Sequence, residues 1–197
     1  MFLPVAVAVL VLTVPLAGGR LSRLAGLRFR HTRLILAALA GQVVILTLVA
    51  GSAGNDAAHR VAHVATYVVA VVFLALNRSI PGLRLVVLGT VLNVVAITSN
   101  GGIMPASPSA VARAGLDQPE EFRNSQPVDD PRLLALGDVF AIPAGWPLAN
   151  VFSVGDVVLV LGTAVTLHVT CRSRLVPRNG ATATGGTTPS LAEAPAA

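Results

Sequence analysis

Five stretches of the chain are apolar nearly all round, at residues 2–17, 34–54, 61–76, 80–99 and 151–170, and polar or glycine-rich segments separate them. An amphipathic helix of a globular domain shows one apolar stripe and one polar face. None of these runs does, and a run near 20 residues has the length that crosses a bilayer. The pattern predicts an all-α membrane protein, a bundle of five transmembrane helices. Pro81 suits the first turn of the fourth run. The first run has no positive residue before it and arginines after it, the reverse of a cleavable signal peptide, so it is expected to be retained.

The segment 100–150 is too long for a simple connection and is expected to carry its own structure or a function. Ser107 as an N-cap, Pro108 at the first helical position and Gly115 as the stop predict a short helix. A polar acidic stretch follows from Asp117 to Asp130. From Leu133 the segment turns apolar but is broken by Gly137, Pro143, Gly145 and Pro147, which predicts irregular backbone with Trp146 as an interfacial anchor. Residues 171–197 form a tail whose Gly, Thr, Ala and Pro content from Asn179 onward predicts disorder.

Composition sharpens this picture. The chain of 197 residues is 54% hydrophobic and 12% charged, with a mean hydropathy of +0.75, against about 25% charged in an ordinary soluble domain, which excludes a large soluble catalytic domain. All 14 basic residues are arginines, and the net charge is +5. Arg20, Arg23, Arg28, Arg30, Arg33, Arg78, Arg84, Arg172, Arg174 and Arg178 share their segments with one acid, Glu193. The alternate segments hold Arg60, Arg113, Arg123 and Arg132 against Asp56, Asp117, Glu120, Glu121, Asp129, Asp130 and Asp138. By the positive-inside rule the protein is expected in the cell membrane, multi-pass, with its amino terminus outside and its carboxyl terminus cytoplasmic. The same placement makes the lipid bilayer the expected partner of the arginines, and not nucleic acid. The single cysteine, Cys171, excludes an intramolecular disulfide and a cysteine zinc cluster, and is read as interfacial.

Asp156 is the residue such a membrane makes expensive. Asn93 lies at a similar distance below the outer end of its own helix, so the two can face each other as an interhelical hydrogen bond. Asp56, His59 and His63, spaced i, i+3 and i+7, form a weak candidate divalent-metal site, although Asp56 with Arg60 is equally an ordinary ion pair. His31 and His168 read as interfacial and Gln42 as a packing hydrogen bond. No cofactor is expected.

Asn100-Gly101-Gly102-Ile103-Met104-Pro105, then Leu136-Gly137-Asp138, then Phe152-Ser153-Val154-Gly155-Asp156-Val157 with Gly162 beyond, resemble an uncharacterised bacterial family of small multi-pass membrane proteins, a domain of unknown function. The resemblance covers about residues 1–170 and implies location and family, with no activity. A second, local resemblance joins Phe152-Ser153-Val154-Gly155-Asp156 to the Phe-Asn-x-Ala-Asp motif of signal peptidase II, a membrane aspartyl protease. It implies Asp156 as a catalytic carboxylate in need of an acidic partner, for which the loop offers Asp138, Asp129 or Asp130, with Asp156 and Asp138 as the candidate pair, while Ser153 and Gly155 depart from the motif and its Asn-x-x-Asp-Arg partner is absent.

The leading expectation is a non-enzymatic, structural or partner-binding membrane protein working at its outer surface, with a further, unidentified membrane protein as a candidate partner. Its polar cluster comprises Asn93, Asn100, Gly101, Gly102, Asp138 and Asp156. The alternatives are an aspartyl hydrolase similar to signal peptidase II and a small proton-linked carrier.

Overall fold

A computed structural model describes residues 2–44, 57–116 and 125–176. Among these residues the chain forms α1 (Phe2–Leu16), a 3-10 helix (Leu21–Gly26), α2 (Thr32–Val44), α3 (Ala57–Leu76) and α4 (Leu83–Ser99). A loop region follows, with β1 (Met104–Pro105), α5 (Pro108–Ala114), β2 (Ser125–Gln126), a short 3-10 turn (Leu134–Leu136), β3 (Phe140–Ile142) and β4 (Asn150–Phe152), and then α6 (Val154–Thr170).

The expectation of five transmembrane helices is overturned: among the described residues no helix is long and apolar enough to cross a membrane. Helices α1, α4 and α6 have 15, 17 and 17 residues, so at 1.5 Å per residue they reach about 23 to 26 Å, short of a hydrocarbon core of about 30 Å. Helix α3 has 20 residues, but its first two turns include His59, Arg60 and His63. The multi-pass membrane placement and the inside–outside orientation rested on those spans and fall with them. The fold is also not all-α, because β1 and β2 pair in parallel and β3 and β4 form an antiparallel hairpin. Residues 45–56, part of the predicted second span, the acidic stretch at 117–124 and the tail from 177 lie outside the described residues.

Local chemistry explains where the elements begin and end. Ile80 and Pro81 precede α4 and do not open it, because Gly82 takes a left-handed conformation with φ of 86°. Ser107 is the N-cap residue of α5, Pro108 follows at its first position, and Gly115 ends it with φ of 67°. The segment expected to be irregular is the β3–β4 hairpin, in which Phe140 pairs with Phe152 and their rings stack at 5.4 Å.

Helix α4 lies between α3 and α6; α2 packs on α3, and α1 on the far side of α6. The α4–α6 contact is antiparallel and built on two glycine pairs of heptad spacing, Gly82 with Gly89 and Gly155 with Gly162. A Cβ added at Gly89 would lie 2.6 Å from the Gly155 carbonyl oxygen, and one at Gly162 would lie 2.7 Å from the Val86 nitrogen. Three small cores complete the packing. One joins Val14, Leu167 and Cys171, a second joins Ala96, Ile97 and Met104, and a third holds α5 on the hairpin through Ala106, Ala110, Val111, Ala114 and Val151.

Candidate functional site

The polar residues with the most specific geometry meet where α6 starts, against α4. Ser153 is the N-cap of α6; its hydroxyl accepts the Asp156 N–H at 3.0 Å, and the Asp156 Oδ2 accepts the Ser153 N–H at 3.1 Å. This reciprocal arrangement satisfies two backbone donors that a helix start leaves open, and it places a carboxylate in the first turn, where the helix dipole favours negative charge. Asn93 of α4 closes the network. Its Nδ2 donates to Asp156 Oδ1 at 2.8 Å, and its Oδ1 accepts the Ser153 hydroxyl at 2.9 Å. Ser153 is fully buried, Asn93 and Asp156 half-buried. The backbone approaches closely here because residue 155 is glycine: a Cβ there would strike the Asn93 side chain and come within 2.8 Å of the Gly89 carbonyl oxygen.

The chemical capacity of the cluster follows from these bonds. The Ser153 hydroxyl donates to an amide oxygen and not to a base, an arrangement that does not activate it as a nucleophile. Each Asp156 oxygen already accepts one hydrogen bond within the clasp. Tyr67, packed on Ala96, Ile97 and Met104, has its phenol pKa raised above the ordinary value, first by burial and second by the Asp156 charge.

That shift gives a direct readout, since Tyr67 is the only tyrosine in the chain. Followed by tyrosinate absorbance, Tyr67 should titrate above free tyrosine, and Asp156→Asn should move it part of the way down while the burial contribution remains. The folded state favours the neutral phenol, so this contribution to stability is present below the unfolded pKa of about 10 and is lost as pH rises through the folded one. A phenol titrating like free tyrosine in the folded protein would place Tyr67 wrongly.

The other residues named from the sequence lie around this clasp in different roles. Asn100 ends α4: its Nδ2 donates to the carbonyls of Ala96 and Arg132 at 2.7 and 2.8 Å, and its Oδ1 accepts the Arg132 N–H at 2.9 Å. Gly101 and Gly102 follow with φ of 68° and 93°, and the Gly102 N–H returns to the Ile97 carbonyl at 2.8 Å. They are turn residues of the helix end. Asp138 is buried, and its main chain is zipped to the end of β1 and the residues that follow: its N–H donates to the Pro105 carbonyl at 2.9 Å and its carbonyl accepts the Ser107 N–H at 3.0 Å. Among the described residues no group of three His, Cys, Asp or Glu side chains is placed to hold a metal. Asp56 lies outside the described residues, as do the side chains of His59, His63 and Gln42.

Two further polar clusters carry no signal in the sequence. His168, expected at an interface, is buried; its Nε2 lies 3.2 Å from the Thr13 hydroxyl and its Nδ1 2.8 Å from that of Ser173. Cys171 beside it is fully buried, and burial pushes its thiol pKa up, opposed in part by Arg23. Asn77 is buried after α3. It accepts the Arg30 N–H at 2.7 Å and donates to the carbonyls of Arg30 and Phe73 at 3.1 and 2.8 Å, tying the α1–α2 connection to the end of α3. The Ser153-x-x-Asp156 spacing does carry its own signal, since it is the sequence signature of a reciprocal N-cap.

The fold and the clasp together define a mainly helical protein in which a half-buried amide–hydroxyl–carboxylate network locks two antiparallel helices. The chain belongs to the family of unknown function DUF5317, which matches residues 26–168 and so takes in the clasp, the Asn100–Pro105 turn and the hairpin. It is 29% identical over 100 residues to an uncharacterized protein of Thermotoga maritima, an alignment that covers 51% of this chain and 58% of that protein. The chain therefore spans little more than half the length of that relative. No solved structure matches it.

Proposed function

We propose that the protein is non-enzymatic and acts as a structural or partner-binding component through the loop end of its helices, residues 100–152. The observation that carries this reading is the use of the clasp. The one carboxylate and the one buried hydroxyl at the α4–α6 contact hold the start of α6 to its neighbour, and no base or nucleophile is presented by them. The same end supplies exposed apolar side chains suited to a partner. Trp146 is 70% exposed near the tip of the β3–β4 hairpin, and Leu133 and Leu148, also exposed, both hold left-handed backbone, with φ of 53° and 71°. Exposed aromatic anchors of this kind dominate binding energy at protein interfaces, and locally strained backbone concentrates where binding takes place.

The test is complementation of a deletion strain with protein abundance measured. Asp156→Asn should restore function, whereas Trp146→Ser with Leu148→Ser should reach normal abundance and fail to. An aspartyl hydrolase or proton carrier needs Asp156 to exchange a proton, which an amide cannot do. An Asp156→Asn protein of normal abundance but no function would therefore sink the structural reading.

A further inference from the structure

Among the described residues the charge is polarised along the helices: nine arginines stand at one end, and the four acids, together with Arg113 and Arg132, at the other. Backbone bonds gather the three arginine-bearing segments at one end: the Arg20 N–H donates to the Cys171 carbonyl at 3.0 Å, the Arg174 N–H to the Ala17 carbonyl at 2.9 Å, and Asn77 holds Arg30. Gly82, pressed on Gly162 and Thr166, brings the α3–α4 turn to the same place. Arg20, Arg23, Arg28, Arg30, Arg33, Arg78, Arg84, Arg172 and Arg174 therefore share one end, all but the half-buried Arg23 exposed. The described acids, Asp129, Asp130, Asp138 and Asp156, stand in the loop region or at the α6 start, at the other end.

Large apolar side chains are interleaved with these arginines. Leu16 is 86% and Leu175 69% exposed, and Leu21, Phe29 and Leu34 are also exposed. We infer that this end is a docking surface for an anionic lipid surface, arginines meeting the phosphate groups and Leu16, Leu21 and Leu175 entering the headgroup layer. Cationic and apolar side chains alternating on one surface are what such a boundary selects. A nucleic-acid backbone would take the arginines, but it offers no partner for three exposed leucines. The contact uses one end of the helices only and requires none of them to cross the bilayer.

The full chain should co-sediment with vesicles of phosphatidylcholine containing 30% phosphatidylglycerol. Binding should be at least tenfold weaker to pure phosphatidylcholine, and should weaken strongly as salt rises from 0.1 to 0.5 M. Arg28→Gln with Arg33→Gln and Arg78→Gln, all exposed positions, should lower binding about tenfold at an unchanged unfolding temperature. Leu16→Ser with Leu175→Ser should weaken it with no change of charge. Equal binding to both vesicle types would overturn the inference. So would inorganic polyphosphate or duplex DNA bound as tightly as the anionic vesicles and indifferent to the leucine substitutions, because the surface would then be a general polyanion site.

Discussion

Gly82→Ala should destabilise the protein by about 3 to 4 kcal/mol, the sum of two separable effects. With φ of 86°, residue 82 lies in the left-handed region, where a side chain costs roughly 1 to 2 kcal/mol. The added Cβ would also run into the Gly162 carbonyl and the Thr166 side chain, and would lie 2.6 Å from the Thr166 nitrogen; overpacking against groups that cannot move aside costs about 1 to 3 kcal/mol more. For a chain of this size such a loss lowers the midpoint of thermal unfolding by roughly 10 °C. Three further glycines separate the terms. Gly101 has φ of 68° and open space beside it, so alanine there should cost only about 1 kcal/mol. Gly26 has open space and ordinary backbone, and alanine should be neutral. Gly89 lies inside α4, where alanine alone would add up to about 1 kcal/mol of helix stability. Yet its Cβ would sit 2.6 Å from the Gly155 oxygen and 2.8 Å from the Leu159 nitrogen, so a net loss of about 2 kcal/mol is expected. A Gly89→Ala protein as stable as the parent would show that the two helices do not approach this closely.

Helix positions are legible in the apolar runs, and their ends are not. The run 151–170 reads as one helix because Val151 and Phe152 are apolar, but those residues form β4, with Val151 buried against α5 and Phe152 stacked on Phe140. A strand of two or three residues is too short to show alternation, so β1 to β4 leave no periodic trace. Composition misleads about the membrane for a related reason. It counts apolar residues, not the length over which one helix runs unbroken. Pro81 and Gly82 stop α4 short, and α1 ends at Leu16, where Gly18 turns the chain with φ of 72°. In the sequence, Asn93 and Asp156 pair by equal depth in a bilayer. The structure puts them 2.8 Å apart for a different reason: Asp156 is in the first turn of α6 and is turned inward by its cap.

The clasp makes the second large prediction. Asp156→Leu should destabilise by about 2 to 3 kcal/mol. It removes the acceptors of the Ser153 N–H and the Asn93 amide, each costing about 1 to 3 kcal/mol when fully dry and less at this half-buried site, and it takes negative charge from a helix start. Asp156→Asn should cost less, about 1 to 2 kcal/mol. If the Asn93 amide turns, the substituted side chain can accept the cap N–H through its Oδ1 while its Nδ2 donates to Asn93 Oδ1, and Asn93 Nδ2 donates to the Ser153 hydroxyl, so the losses are the charge and the acceptor of the Ser153 O–H. A double-mutant cycle of Asn93→Ala with Asp156→Ala, read by denaturant unfolding, should give a coupling of about 1 kcal/mol, well beyond the additivity error of roughly 0.3 to 0.5 kcal/mol. The sign of the Asp156→Asn change decides between the two uses of this carboxylate. A carboxylate kept for chemistry at the expense of the fold gains stability when it is neutralised. One that caps a helix and holds its neighbour loses stability, and a more stable Asp156→Asn protein would make the clasp a by-product of some other demand on that residue.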